Sequence, residues 1–236
     1  MSRRIADDLQ RHFGVPDELI EVIPYGLDLD AFRFDPEARL RDRASVGTPP
    51  ERLVILFVGD DFERKGLDQA ICALARTARD VELWIAGGGD QERYRELATS
   101  LGVAERTHFL GRVPNDRLAE LYSAADVFVL PSRQDAWGQT VIEAMASGRP
   151  VIVSPFAGSE EEVETGTTGF VLDAGDACPQ IAALLDGPLA EREARETMGA
   201  RAVEAVQPFD RRVISPRFRA AHHRAAELRR ARLAAR

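Results

Sequence analysis

The chain has 236 residues, 44% of them apolar and 30% charged, a composition that suits a folded globular protein with one sizeable core. A net charge of −8 argues against nucleic acid as the main partner. No stretch approaches the roughly 20 apolar residues of a membrane-spanning helix.

In chain order, the first thirteen residues (with the run I-A-D-D-L-Q-R-H-F) read as a helix and lack the apolar run of a signal peptide. A cytoplasmic chain is expected. Short β-branched runs then recur at 21–24, 53–58, 81–86, 107–110, 127–130, 150–154 and 169–172. Between them, 67–79, 91–101, 115–123 and 138–147 place apolar residues at helical spacing. This alternation predicts a doubly wound α/β domain, a parallel sheet covered on both faces. Such sheets bind ligands at the carboxyl ends of their strands. Cys72 and Cys178 are unclustered and lack metal-ligand spacing, so reduced thiols are expected. From 217 to 236 seven arginines accompany one acidic residue, Glu227, around a thin apolar stripe of Phe218, Ala221, Ala225, Leu228 and Leu233. The stripe fits a solvated helix, or a basic helix making weak contact with an anionic membrane surface.

Two loops carry chemistry, and both follow predicted strands. The first lies in F-V-G-D-D-F-E-R-K-G. Of 31 basic residues only Lys65 is a lysine, which suggests a position needing a compact ammonium rather than a planar fork. A cation at a helix start opposes the dipole. Arg64 and Lys65 beside Gly59, in a glycine-flanked turn, are what a diphosphate needs: close backbone approach and positive charge. The second loop lies in V-L-P-S-R-Q-D-A-W-G-Q-T-V-I-E. Asp135 and Glu143 there bracket a predicted helix N-terminus, with Glu143 about 8 Å along the axis. That spacing suits a ligand with a diphosphate at its centre and hydroxyl-bearing sugars on both sides. Gly87-Gly88-Gly89 also turns from strand to helix, as a tight turn or a phosphate cradle, but it is not the dinucleotide fingerprint. His108 reads as a packed strand residue, and Glu161 as a residue that ties a loop.

The pattern P-S-x-x-D-x-W-G-x-x-x-x-E-A-M-A-S-G-x-P-V resembles the donor-sugar motif of the retaining GT-B glycosyltransferases of family 4. The first loop is most similar to the D-F-x-R-K-G form of the lipopolysaccharide-core glucosyltransferases. Many relatives have arginine directly after the first glycine, where this chain has Asp60, and Arg64 is expected to take that role. Relatives mostly carry Glu at position 135.

The resemblance implies the C-terminal half of a GT-B enzyme. It divides the chain into a linker helix at 1–14, a Rossmann-like nucleotide-sugar-binding domain at 15–187, and C-terminal helices with a basic tail at 188–236. It further implies that Glu143 holds the ribose, Asp135 the transferred sugar, and Arg64 and Lys65 the diphosphate of a UDP- or GDP-sugar. Backbone N–H groups of Trp137, Gly138, Gln139 and Thr140 would share the diphosphate, with Gly59, Gly88 and Val113 bordering the donor. No metal or other cofactor is implied. The acceptor would be a glycan or lipid-linked sugar in cell-envelope synthesis, held by a separate N-terminal domain at the inner membrane face. A fragment, a mis-started reading frame and one subunit of a split enzyme all fit such a half. A non-catalytic nucleotide-sugar-binding module and a GT-B epimerase are the alternatives.

Overall fold

The computed structural model describes residues 2–234; Met1, Ala235 and Arg236 of the predicted terminal segments, and the side chains of Arg232 and Ala234, lie outside that description. Six parallel strands form the sheet: β1 (Leu53–Val58), β2 (Val81–Ala86), β3 (Thr107–Gly111), β4 (Val127–Leu130), β5 (Val151–Val153) and β6 (Gly169–Val171), in the order β3-β2-β1-β4-β5-β6. All residues of β1, β2 and β4 are buried, which is why they are continuous apolar runs rather than alternating ones. Successive side chains feed two separate cores. Leu53, Ile55 and Phe57 face the helices α3 (Leu67–Arg76), α4 (Gln91–Ser100) and α7 (Ala177–Asp186). Val54, Leu56 and Val58 face α5 (Asn115–Ala124) and α6 (Gln139–Ala146) on the other side. Each such aliphatic or aromatic side chain contributes about 1.5–3 kcal/mol by burial. A further helix, α8 (Arg192–Ala205), supplies Met198 to one core and Ala202 to the other.

Three expectations are corrected. Residues 21–24 form no strand: they lie beyond the sheet, where the Val22 carbonyl and the Glu21 carboxylate meet Arg217 and Arg224 of α9 (Arg211–Ala234), and Pro24 lacks a ladder donor. The helix expected over 67–79 stops at Arg76, because Thr77 turns extended and its hydroxyl donates to Asp186 at 2.5 Å. Cys72 of α3 and Cys178 of α7 are not separate thiols but a disulfide with a Cα–Cα distance of 5.6 Å, since the two helices pack side by side. An unforeseen helix, α2 (Pro36–Val46), begins at Asp35, which accepts from the N–H groups of Glu37 and Ala38 at 2.9 and 3.0 Å; Pro36 and Gly47 close its ends.

The expected N-terminal helix is α1 (Arg3–Phe13). It is held beside loop 131–138: Ser2 donates to the Ala136 carbonyl at 3.2 Å, and Arg4 pairs with Glu160 at 2.6 Å. Among the described residues no helix is long and apolar enough to cross a membrane.

Candidate functional site

Strands β1 and β4 are neighbours, and from them the chain winds off in opposite directions. The crevice outside their carboxyl ends is where a doubly wound sheet accepts a ligand. The two motif loops form its walls, and they are stitched together. Arg133 N–H donates to the Arg64 carbonyl at 2.8 Å, and Arg64 Nη1 donates to the Gln134 carbonyl at 2.7 Å. Gly66 takes a left-handed φ of 75°, and a Cβ there would lie 2.1 Å from the Pro131 carbonyl oxygen. A side chain at 66 would force the loops apart.

Lys65 sits where the loops meet. Its stem runs across Gly59 so closely that a Cβ at 59 would lie 2.1 Å from Lys65 Cδ. Its ammonium is 3.3 Å from Asp135 Oδ2, and Arg64 Nη1 is 4.0 Å from the same oxygen. Arg64 is also held by Asp61 at 2.9 Å. Burial raises the Asp135 pKa, but the Lys65 charge and two main-chain N–H groups outweigh it and hold the carboxyl below its ordinary value. Glu143, in the second turn of α6, is buried, and burial pushes its carboxyl up against the opposing effects of Tyr122, Gln139 and the Lys65 charge. The fully buried Tyr122 hydroxyl donates to Glu143 Oε2 at 2.9 Å. Lys65 thus acts on both carboxylates, one below and one above its normal range, an arrangement typical of functional clefts.

On the β2–β3 side a recess of about 250 Å³ is lined by Gly59, Gly87, Arg112, Val113 and Leu118. Val113, which the resemblance sets against the nucleotide base, is part of this lining. A larger recess, about 700 Å³, lies beside α1 and is bordered by Trp137 and Glu161 but not by Lys65 or Asp135. His108 is a packed strand residue, 3.2 Å from Glu82.

Two of the four N–H groups expected to share the diphosphate are engaged. Asp135 Oδ1 accepts from Trp137 N–H at 3.2 Å and Gly138 N–H at 2.9 Å, so the carboxylate caps its own turn. Gly88 N–H donates to Asp60 Oδ1 at 2.7 Å. This gives Asp60 a structural task at the position where many relatives have arginine. The Trp137 ring is buried, 5.9 Å from that of Phe209. Gln139 and Thr140 begin α6 without a capping side chain, leaving their N–H groups facing the crevice end of the helix. Thr140 Oγ1 is shielded from solvent with no partner among the described residues. Sequence reasoning missed Tyr122 and Arg133, and gave Asp60 no task of its own. A tyrosine inside the apolar stripe of Leu118, Leu121 and Tyr122 was the available signal, because a buried phenol needs an acceptor.

Comparison with known proteins places this geometry. The family described as "Glycosyl transferases group 1" matches residues 38–205, more than half of the chain. The chain is 34% identical over 199 residues to D-inositol 3-phosphate glycosyltransferase 2 of Catenulispora acidiphila, covering 78% of this chain and 46% of that protein. Among solved structures it resembles WaaG, a glycosyltransferase involved in lipopolysaccharide biosynthesis, with a TM-score of 0.82 and 27% identity over 94% of this chain and 60% of that one. It also resembles HepE of Anabaena in complex with UDP-glucose, with a TM-score of 0.81 and 25% identity over 92% of this chain and 60% of that one. The chain spans about half the length of the curated relatives it matches. With a matching family profile, the doubly wound sheet and both motif loops at its switch point, the chain belongs to the group 1 glycosyl transferases.

Proposed function

We propose that the chain is the donor-binding half of a retaining glycosyltransferase that moves a hexosyl group from a nucleoside-diphosphate sugar to a glycan or lipid-linked acceptor. The observation that carries this reading is the Lys65 ammonium beside Asp135, 3.3 Å away, across the β1–β4 switch point. One cation there can serve a diphosphate while the adjacent carboxylate meets sugar hydroxyls. Glu143, held by Tyr122, accepts from the ribose hydroxyls, and the recess at Val113 takes the base. Arg64, Lys65 and the N–H groups of Gln139 and Thr140 meet the charge that develops on the leaving diphosphate as the glycosidic bond breaks. With that charge met by the protein, the donor site works without a resident metal.

A uridine donor is supported by the likeness to HepE bound to UDP-glucose; a guanosine donor is the other base to test. The acceptor is held by a separate N-terminal domain. Arginines of α9, Arg219, Arg229 and Arg230 among them, give weak contact with the inner face of the membrane in a cytoplasmic, envelope-building role.

Calorimetry with UDP-glucose, UDP, GDP and ADP, run beside a transfer assay, tests the reading. Binding of a nucleoside diphosphate without sugar transfer by the isolated chain is expected. Failure to bind any of the four, or robust transfer by the isolated chain, would contradict it.

A further inference from the structure

The opposite edge of the sheet is also built for charge. At the amino ends of β1, β4 and β5 a recess of about 520 Å³ opens between α2 and α8, within the size range of small-molecule sites. The six residues of β1 separate this edge from the donor crevice by about 20 Å. Four arginines line it, Arg39, Arg149, Arg192 and Arg195, against two carboxylates, Asp126 and Glu196.

Both carboxylates are already committed. Asp126 pairs with Arg39 at 2.6 Å and with the buried Arg43 at 2.6 Å, and Glu196 pairs with Arg192 at 2.7 Å. Arg149 and Arg195 make no ion pair among the described residues and reach only main-chain carbonyls. Arg149 donates to Ser147 O at 3.1 Å and Ala125 O at 2.9 Å; Arg195 donates through one nitrogen to Leu189 O and Ala190 O, each at 2.8 Å. A guanidinium carries five N–H donors, so each keeps unused donors at the recess.

The local field is one of excess positive charge. Burial pulls the Arg149 guanidinium down to about 10, and Arg39 and Arg43 push the same way against Asp126 and Glu196. Burial lowers Arg195 and Arg43 as well. All three remain charged at neutral pH, so the lowering reports desolvation and mutual repulsion that a bound anion would relieve. At the rim, Phe34 and Leu40 are 46% and 61% exposed, and the Arg149 guanidinium lies 4.8 Å from the Phe34 ring centroid. An apolar rim beside a cationic wall matches a phosphate attached to carbon.

We propose that this recess is a second ligand site that binds a phosphate-class dianion, with Arg149 and Arg195 as its principal donors and Arg192 as a flexible third. A soluble phosphate monoester and a phosphomonoester lipid headgroup share this chemistry.

The test titrates inorganic phosphate into the isotope-labelled full chain at ionic strength matched with chloride. It follows the amide signals of Gly148, Arg149 and Ala200 against those of Gly59 and Lys65. A saturable shift at the first group is expected, unaffected by Lys65→Ala. Arg195→Gln, which keeps an amide donor for Leu189 O and Ala190 O, should weaken it roughly tenfold. Arg192→Gln changes a side chain 80% exposed, so it leaves the fold intact while weakening phosphate severalfold. Sedimentation with vesicles containing phosphatidic acid separates the sources. Co-sedimentation abolished by Arg195→Gln identifies a lipid headgroup, and phosphate binding without sedimentation identifies a soluble ligand. No saturable shift at Gly148, Arg149 and Ala200, an equal response to chloride, or undiminished binding by Arg195→Gln would overturn the proposal.

Discussion

Replacing Lys65 with alanine should separate ligands by their phosphate content. Two unit charges 4 Å apart at an effective dielectric of 20 attract by about 4 kcal/mol, the upper limit for an ammonium against a diphosphate oxygen. The Lys65 side chain is 12% exposed, so solvent screens it little, but the ammonium must give up part of its present contact with Asp135. The net effect then falls in the range for a hydrogen bond to a charged group, about 1.5–3 kcal/mol, or roughly 10- to 150-fold in affinity. Removing Lys65 also leaves the Asp135 carboxylate unbalanced beside the incoming phosphates, which places the loss towards the upper end. A nucleoside carries no phosphate, so uridine should lose almost nothing. Lys65→Arg should restore only part of the affinity: the lysine stem lies flat on Gly59, and a wider guanidinium cannot occupy the same space. The assay is calorimetry of uridine, UMP and UDP against wild type, Lys65→Ala and Lys65→Arg. Equal losses across the three ligands, or full rescue by arginine, would refute the assignment of Lys65 as the phosphate anchor.

Tyr122→Phe removes the 2.9 Å bond to Glu143 without changing the ring, and should cost about 1–2 kcal/mol in nucleotide affinity; unchanged UDP binding would show that the tyrosine does not position Glu143. UDP-glucose, lacking the terminal phosphate that titrates near pH 6, should bind less tightly as acid protonates Glu143, with a midpoint above the ordinary glutamate value that Glu143→Gln removes. For folding the signs differ. Asp135, held low, adds stability that disappears as pH falls through its folded value, whereas Glu143, raised, adds stability at acid pH that disappears as pH rises through its own. Urea titrations of Asp135→Asn and Glu143→Gln across that pH range should show these opposite slopes. Reduction of Cys72–Cys178, which are 106 residues apart, should lower unfolding stability by about 2–5 kcal/mol, and an unchanged denaturation midpoint in dithiothreitol would count against the crosslink. Chelation with EDTA should leave UDP-glucose affinity unchanged; a loss restored by magnesium would mean that the donor site needs a metal.

The sheet was legible because its central strands are apolar throughout and bounded by turn residues, so 53–58, 81–86 and 127–130 match the observed strands end to end. The site loops were legible because the glycines and the lone lysine record close approach and charge in the sequence itself. What lay hidden depends on contacts distant in sequence. Pro24 is the one local sign against a strand at 21–24; beyond it, only the lack of a pairing strand among the described residues sets the segment apart. The disulfide joins helices brought together by the fold. The engaged N–H groups of Trp137 and Gly138 arise because Asp135 folds back on its own turn, a choice that depends on the backbone path rather than the motif. Tyr122 escaped the sequence reading because its hydrogen bond to Glu143 is made inside the core.

The central claim is that a nucleotide sugar lies across the β1–β4 crevice between Lys65 and Glu143. A crystal structure of the chain soaked with UDP-glucose tests this most directly. The account predicts a diphosphate oxygen at about 2.7–2.9 Å from Lys65 Nζ, ribose hydroxyls on Glu143 and the uracil against Val113. Nucleotide density in the recess beside α1, with the crevice empty, would contradict it.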